Sequence, residues 1–267
     1  MSSRYGPARV EASRHILQEA ASTAHLAADD AEPIRFAEND LWRIPGGIVV
    51  RIARPGQDAA AAREVAVASW LAGHDVRAVV PLSIEQPLVA AGRPVTFWHE
   101  LPEHQHSTAR GLAVLLRQLH DLPVPADPRH LGLVPLDPFV RIRERLEASA
   151  IVTGSDRKFL LEKVTELREE WPRPPAGRPD RVIHGDARRG NCVVTGNGGV
   201  EFCSAYGADF RSWDGYDVMR SVRELRLVTF ALQITGQDPV AEREARHRVA
   251  CLRGLQGLRP WAWSPVG

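Results

Sequence analysis

Residues 182–194 read Val-Ile-His-Gly-Asp-Ala-Arg-Arg-Gly-Asn-Cys-Val-Val. This stretch is the most informative part of the sequence about fold and chemistry. An apolar pair leads into a polar turn and an apolar run leads out, which predicts a short strand, a loop and a second strand. His184 and Asp186 flank a glycine in this turn, and Asn191 follows five residues after the aspartate. A carboxylate that accepts a proton and an amide oxygen that holds Mg²⁺ are two of the groups that phosphoryl transfer needs.

The composition limits the possible classes of protein. At 267 residues, with 44% hydrophobic and 25% charged residues, the chain can form one large globular domain or two lobes. A formal net charge of +1 argues against a dedicated nucleic-acid binder, which would carry a basic stripe. No apolar targeting segment opens the sequence and no run approaches membrane-spanning length. We therefore expect a cytoplasmic protein with no membrane and no nucleic-acid partner.

The first hundred residues predict a helix followed by a small lobe of short strands with one inserted helix. A Pro-Gly-Gly turn at residues 45–47 joins two β-rich runs and predicts a hairpin. The predicted helices span residues 8–28 and 58–71, and the predicted strands cover 34–36, 39–44, 48–53, 79–82 and the pair within 87–101.

The remainder of the sequence is mainly helical in pattern. Apolar residues at helical spacing predict helices over residues 107–122, 137–148 and 155–171, and a mostly helical region from 200 to about 254. The proline-rich run 172–179 predicts a surface connector. An aromatic tail closes the sequence and is expected to pack against the body of the protein.

A β-rich lobe followed by a helical lobe with His-Gly-Asp and a downstream asparagine resembles the aminoglycoside phosphotransferase family. The resemblance runs from about Asn39 to the C-terminus. It implies an α+β, two-lobed protein-kinase-like fold, with a small β-rich N-terminal lobe in residues 1–101 and a larger helical lobe in residues 102–267. It also implies ATP and Mg²⁺ as cofactors and a hydroxyl group of a small molecule as the acceptor.

The resemblance also implies roles for single residues of the loop. Asp186 resembles the catalytic aspartate that accepts the proton of the substrate hydroxyl, and His184 belongs to the same catalytic motif. Asn191 resembles the amide ligand of Mg²⁺. Leu119 and His120 resemble a Leu-His pair that closes the first long helix in many relatives, although such a histidine is more often a core residue.

Nucleotide contacts are expected from the first lobe. Asn39 and Trp42 bound the segment that resembles the family's nucleotide-covering turn. Arg51 stands where the family usually has a phosphate-holding lysine, and Glu64 resembles its ion-pair partner; a guanidinium can contact phosphate and carboxylate together.

Two further segments of the first lobe allow more than one interpretation. Outside the family context, the pair of Arg51 and Glu64 would be read as an ordinary surface ion pair. Glu100 and Leu101 end a strand where the base-contacting hinge is expected. Residues 104–106, His-Gln-His, are better interpreted as a loop lining the cleft than as a metal site, because no third ligand stands at a recognisable spacing.

One part of the family pattern is missing from the sequence. A kinase-like site needs an acidic Mg²⁺ ligand shortly after the asparagine, and residues 191–204 contain no aspartate there. Either Glu201 or Asp209 replaces it, or the segment that carries it is absent and Glu201 already opens the late helical subdomain. We prefer the second account, which predicts weak Mg²⁺-ATP binding and little phosphotransferase activity.

Three functions are therefore open at this point. The first is an ATP-dependent phosphotransferase, and the second is a degenerate, pseudokinase-like binding protein. The third is a hydrolase or lyase that carries His-Gly-Asp by chance, which the absence of other catalytic motifs disfavours. Neither the acceptor nor the oligomeric state has a signal in the sequence.

Overall fold

A five-stranded antiparallel sheet organises the first part of the computed structural model, which describes residues 6–173, 180–187, 193–194, 206–208, 212–235 and 239–266. The spatial order of the strands is β1-β2-β3-β5-β4. Their bounds are Glu32–Phe36 (β1), Asp40–Ile44 (β2), Ile48–Ile52 (β3), Leu88–Ala90 (β4) and Arg93–His99 (β5). The predicted α+β fold class, with a β-rich N-terminal part and a helical remainder, is confirmed.

The predicted hairpin of β2 and β3 is confirmed. Ile44 pairs with Ile48 across the turn. Gly46 and Gly47 adopt φ angles of +88° and +67°, a left-handed conformation that glycine adopts without strain. The glycines therefore fix the register that sets Leu41 opposite Arg51.

The two faces of this sheet are covered by different helices. Helix α1 (Pro7–Thr23) packs on one face, where Leu17, Trp42 and Phe97 belong to one buried cluster. Helix α2 (Asp58–Ala72) lies beyond the other face. Side chains alternate between the two faces of a strand, so Leu41, Arg43 and Arg51 point away from α1.

A buried carboxylate ties α1 to the sheet. The Asp40 side chain is 2% exposed, and its two oxygens lie 2.8 Å from Nη2 of Arg9 and 2.9 Å from Nη2 of Arg93. Arg9 also donates to the carbonyl oxygen of Ala37, and Arg93 donates to that of Ala53. These contacts join α1, the start of β2 and β5.

The elements after the sheet begin with a short strand and a capped helix. Thr108 caps helix α3 (Ala109–Asp121), because its hydroxyl oxygen accepts from the N–H of Gly111 at 3.1 Å. A 3₁₀ turn follows at Pro128–Leu131. The two-residue strands β6 (Gln105–His106) and β7 (Val193–Val194) pair antiparallel.

A second compact unit is helical. It contains α4 (Ile142–Ala148), α5 (Gly154–Glu170), α6 (Tyr216–Ile234) and α7 (Pro239–Leu252). Leu146, Leu160 and Leu225 are fully buried in its core. The predicted packing of the C-terminal tail is confirmed: Trp263 lies against this core, and Arg248 donates to the carbonyl oxygen of Ser264.

The two units are not contiguous in sequence. The first comprises Met1–Pro135 and Asp180–Gly207, and the second comprises Leu136–Pro179 and Ala208–Gly267. The lobe boundary between residues 101 and 102 stays a prediction. None of the described helices is both long and apolar enough to cross a membrane.

Four predicted elements differ from the structure. The first helix ends at Thr23 and not at residue 28, and His25 beyond it takes a left-handed φ of 56°. Residues 79–82 form only an isolated bridge between Pro81 and Trp98, because proline has no N–H to donate to a ladder. Val182 and Ile183 are in irregular structure, whereas the strand predicted at residues 193–194 is present. Helix α4 begins at Ile142 and not at residue 137, since Arg141 takes a left-handed φ of 62°.

The buried network at Asp40 gives a prediction about stability. Asp40→Asn removes the negative charge that pairs with both Arg9 and Arg93. The free energy of unfolding is expected to fall by about 2–3 kcal/mol, because a buried carboxylate paired with two arginines loses its charge. Urea denaturation followed by circular dichroism measures the change.

The matched control is Glu38→Gln in the same sheet region. Its pair with Arg54 spans 3.6 Å and is exposed on both sides, so the expected change is below about 0.5 kcal/mol. Equal unfolding midpoints for the two variants would show that the Asp40 network adds no stability.

Candidate active site

A cavity of about 820 Å³ lies in the first unit, on the face of the sheet opposite α1. Its walls come from β2, β3, the end of β5, α2 and residues 182–186. Most of the wall is aliphatic, with Leu41, Val49 and Val67 as examples. Cavities of this size with a few convergent polar groups are the usual form of small-molecule sites.

Arg51 is one of the arginines that line this cavity. It points into the cavity from β3 and forms an ion pair with Glu64 of α2. With the Asn39 amide oriented so that its oxygen faces Arg51, that oxygen accepts from Nη2 at 3.1 Å and from Nε at 3.2 Å. The predicted pairing of Arg51 with Glu64 is confirmed, and Asn39 adds a second hold on the same guanidinium.

The predicted catalytic loop reaches the same cavity. His184 and Asp186 both line it and both are exposed. Gly185 between them has a φ of +77°, a left-handed conformation that suits a residue without Cβ. The Asp186 N–H donates to Nδ1 of His184 at 3.3 Å. Nδ1 is therefore the acceptor in this contact.

The end of β5 supplies a second charged pair. The Glu100 carboxylate accepts from Nε of Arg43, and Nη2 of Arg43 lies 2.6 Å from the same oxygen. The hydrogen bond and the negative charge of Glu100 raise the pKa of Arg43 above its usual range. The Glu100 N–H donates to the carbonyl oxygen of Gly47 at 2.7 Å. Glu100 and Leu101 both line the cavity.

Trp42 is not brought to this cavity. Its indole is fully buried on the α1 face, and its Nε1 donates to the Ser13 hydroxyl at 3.0 Å. Since Arg51 and Leu41 are cross-strand partners that share the cavity face, Trp42 must lie on the opposite face. We therefore remove Trp42 from the nucleotide-contacting candidates. Asn39 is retained through its contact with Arg51.

The predicted metal ligand Asn191 lies outside the described residues, as do Glu201 and Asp209. Within the described part of the chain, no group of three His, Cys, Asp or Glu side chains is arranged to hold a metal ion. Asp186 is the carboxylate that the described part of the loop contributes to the cavity. The Mg²⁺ site at Asn191 stays a prediction.

Sequence reasoning missed Arg43 and Arg63, which also line the cavity. The available signal was the period of two along β2: with Arg51 on the cavity face, its neighbour Leu41 and then Arg43 must follow. Arg63 precedes Glu64 on α2 and had no comparable signal.

His120, at the end of α3, contacts Tyr206. Its Nδ1 lies 2.7 Å from the Tyr206 hydroxyl oxygen, and the two rings meet edge to face at 5.8 Å. Arg117 lies on the same helix and approaches the Tyr206 carbonyl oxygen at 3.5 Å. His120 therefore joins α3 to the chain that follows the loop, and it is not among the residues lining the cavity.

Solved structures share this fold. The GDP and kanamycin complex of the aminoglycoside phosphotransferase APH(2")-IIIa superposes with a TM-score of 0.59 at 15% identity, covering 90% of this chain and 99% of that one. Choline kinase LicA from Streptococcus pneumoniae gives 0.57 at 13% identity, covering 90% and 97%. Spectinomycin phosphotransferase APH(9)-Ia, in complex with ADP and spectinomycin, gives 0.52 at 12% identity, covering 85% and 88%.

At such low sequence identity, the structural similarity shows a shared fold alone. No curated protein matches the sequence significantly. The model of the phosphotransferase enzyme family APH matches residues 30–201. That span is well over half of the chain and includes β1 to β5, α2, α3 and the His-Gly-Asp loop. The chain belongs to the phosphotransferase enzyme family.

Proposed function

We propose that this protein transfers the γ-phosphoryl group of a nucleoside triphosphate to a hydroxyl group of a small molecule. The observation that carries the proposal is that one cavity contains both the paired Arg51 and the loop carboxylate of Asp186. Phosphoryl transfer needs a cation for the phosphates and a group that positions the attacking hydroxyl. Membership of the phosphotransferase family supports the same reaction.

Asp186 is proposed to act on the acceptor. The hydroxyl oxygen forms a bond to the γ-phosphorus, the bond from that phosphorus to the β–γ bridging oxygen breaks, and the hydroxyl proton passes to the Asp186 carboxylate. The nucleoside diphosphate leaves with the bridging oxygen. His184 accepts the Asp186 N–H, which supports a positioning role for the imidazole in this step.

Arg51 is proposed to hold the phosphates. Its guanidinium already contacts Glu64 and Asn39, so little side-chain freedom remains to be lost when an anion binds. An arginine in this role keeps its charge at any physiological pH and presents several donors in one plane. The side chain is 30% exposed, which leaves an approach for a ligand.

ATP and Mg²⁺ are the cofactors that the family resemblance implies, and both belong to this proposal. When bound, Mg²⁺ neutralises charge on the phosphates. Asn191 is the proposed ligand from this chain. In an active enzyme Glu201 or Asp209 supplies the second ligand, whereas the missing-ligand account preferred from the sequence predicts weak nucleotide binding and little turnover. We also propose that residues 1–101 form the nucleotide-binding lobe and that residues 102–267 form the lobe that carries the catalytic loop. The proposed location of the protein is the cytoplasm.

A transfer assay distinguishes this proposal from the alternative, an inactive protein that only binds nucleotide. Two structures of the same fold are complexes with kanamycin and with spectinomycin, and a third is a choline kinase. Kanamycin, spectinomycin and choline therefore form a first panel of acceptors. Incubation with γ-³²P-labelled ATP or GTP and Mg²⁺, followed by separation of the products, measures transfer to each acceptor and to water. Label confined to the nucleotide in every reaction, with tight nucleotide binding, would favour the binding-only alternative.

The role of Asp186 predicts a selective loss of turnover. Asp186→Asn is expected to lower the rate of phosphate release or transfer by roughly 10²–10⁴-fold, because the amide cannot accept the proton. The dissociation constant for the nucleotide should change less than about threefold, since this carboxylate is assigned to the acceptor. Asp180→Asn, the same change at an exposed residue outside the cavity lining, is the control. Turnover that survives Asp186→Asn would show that Asp186 is not the base.

The role of Arg51 predicts a loss of affinity. Arg51→Met is expected to weaken nucleotide binding by at least about tenfold in calorimetric titration, the equivalent of one charge-assisted contact to phosphate. Arg54→Met is the matched control, because Arg54 follows the same strand but does not line the cavity. Similar affinities for the two variants would place the phosphates away from Arg51.

A further inference from the structure

The charged pair of Arg43 and Glu100 lies on the cavity wall next to the proposed phosphate site. We infer that this pair selects guanine over adenine, so that the nucleotide donor is a guanine nucleotide. The inference rests on the proposed function, because it assumes that the cavity takes a purine nucleotide. It replaces the adenine base that the family resemblance implies.

The register of the sheet sets where a base would lie. Arg43 pairs with Val49 across β2 and β3, and Arg51 stands two residues further along β3 on the same face. Such diagonal neighbours are about 7–8 Å apart. With the phosphates at Arg51, the sugar and base extend toward Arg43 and Glu100. Val49 and Trp98 form an apolar wall in this part of the cavity, which suits a flat ring.

Two backbone donors near this end of the cavity are already engaged. The Glu100 N–H donates to the Gly47 carbonyl oxygen at 2.7 Å, and the His99 N–H donates to the Val80 carbonyl oxygen at 2.9 Å. An adenine ring offers an unprotonated N1 that needs a donor. Neither of these backbone groups can serve N1 without losing its present partner. These two N–H groups are therefore not the donors that recognise the base, and the charged side chains of Glu100 and Arg43 are the candidates that we consider.

The side chains match the polar edge of guanine. Guanine carries two adjacent donors, N1–H and N2–H₂, which one carboxylate can accept together, and an O6 acceptor that a guanidinium can meet. Glu100 and Arg43 place this acceptor and this donor side by side, with Nε and Nη2 of Arg43 on Oε1 of Glu100. In the proposed complex guanine accepts a bond from Arg43 at O6 and donates to Glu100, in place of part of this mutual ion pair. Adenine offers a single exocyclic donor, and the lone pair of its N1 is repelled by a carboxylate. The pair therefore makes more charge-assisted contacts with guanine.

Arg43 is held in position from outside the cavity. Its Nη1 lies 3.3 Å from a carboxylate oxygen of Glu32, which does not line the cavity. The guanidinium thus has one acidic partner within the site and one beyond it.

The test compares GDP and ADP by isothermal titration calorimetry, each with Mg²⁺, on the full chain. GDP is expected to bind at least about tenfold more tightly than ADP, the equivalent of one additional charge-assisted hydrogen bond. Glu100→Gln should reduce this ratio to within about threefold, because an amide loses one acceptor and can pair with adenine. Glu103→Gln, the same change at an exposed residue outside the cavity lining, should leave the ratio unchanged. Thermal unfolding of each variant verifies that it is folded.

The outcomes separate this inference from the proposed function. ADP binding as tight as or tighter than GDP binding overturns the guanine preference and leaves the phosphotransferase proposal intact. A guanine preference that survives Glu100→Gln shows that the pair is not its source and overturns the inference. Failure of the folded protein to bind either nucleotide overturns both.

Discussion

The alternation of side chains across β2 and β3 is the constraint on which the rest of the first unit depends. One face of the sheet places Trp42 and Phe97 against α1, and the other presents Arg43 and Arg51 to the cavity. A shift of one residue in the β2–β3 register would exchange the core with the site. Because the Pro-Gly-Gly turn fixes this register, it also determines which charged groups face the cavity.

Charged groups are used differently on the two faces. On the α1 face, Asp40 is buried between two arginines and joins separate elements, so its contribution is structural. On the cavity face, Arg51 and Glu64 form a partly exposed pair whose contribution to stability is expected to be small. The proposed phosphate-holding role of Arg51 gives this pair, and its contact with Asn39, a function other than stability.

The sequence predicted the family, the fold class and the pairing of Arg51 with Glu64, because motif, spacing and strand pattern all agreed there. Trp42 was assigned to the nucleotide from the resemblance to a covering turn alone. The alternation of side chains along β2 places Trp42 on the opposite face of the sheet, where it is buried. Arg43 was missed for the same reason. The strand expected at residues 79–82 contains Pro81, and the missing N–H of this proline was a signal in the sequence against a ladder there.

We propose that a nucleoside triphosphate binds in this cavity with its phosphates at Arg51 and its reacting end toward Asp186. The most direct measurement is a crystal structure of the chain with a non-hydrolysable guanine or adenine nucleoside triphosphate and Mg²⁺. We expect phosphate oxygens within hydrogen-bonding distance of Arg51 and the base against Arg43 and Glu100. A nucleotide bound elsewhere, or a cavity without nucleotide at saturating concentration, would contradict it.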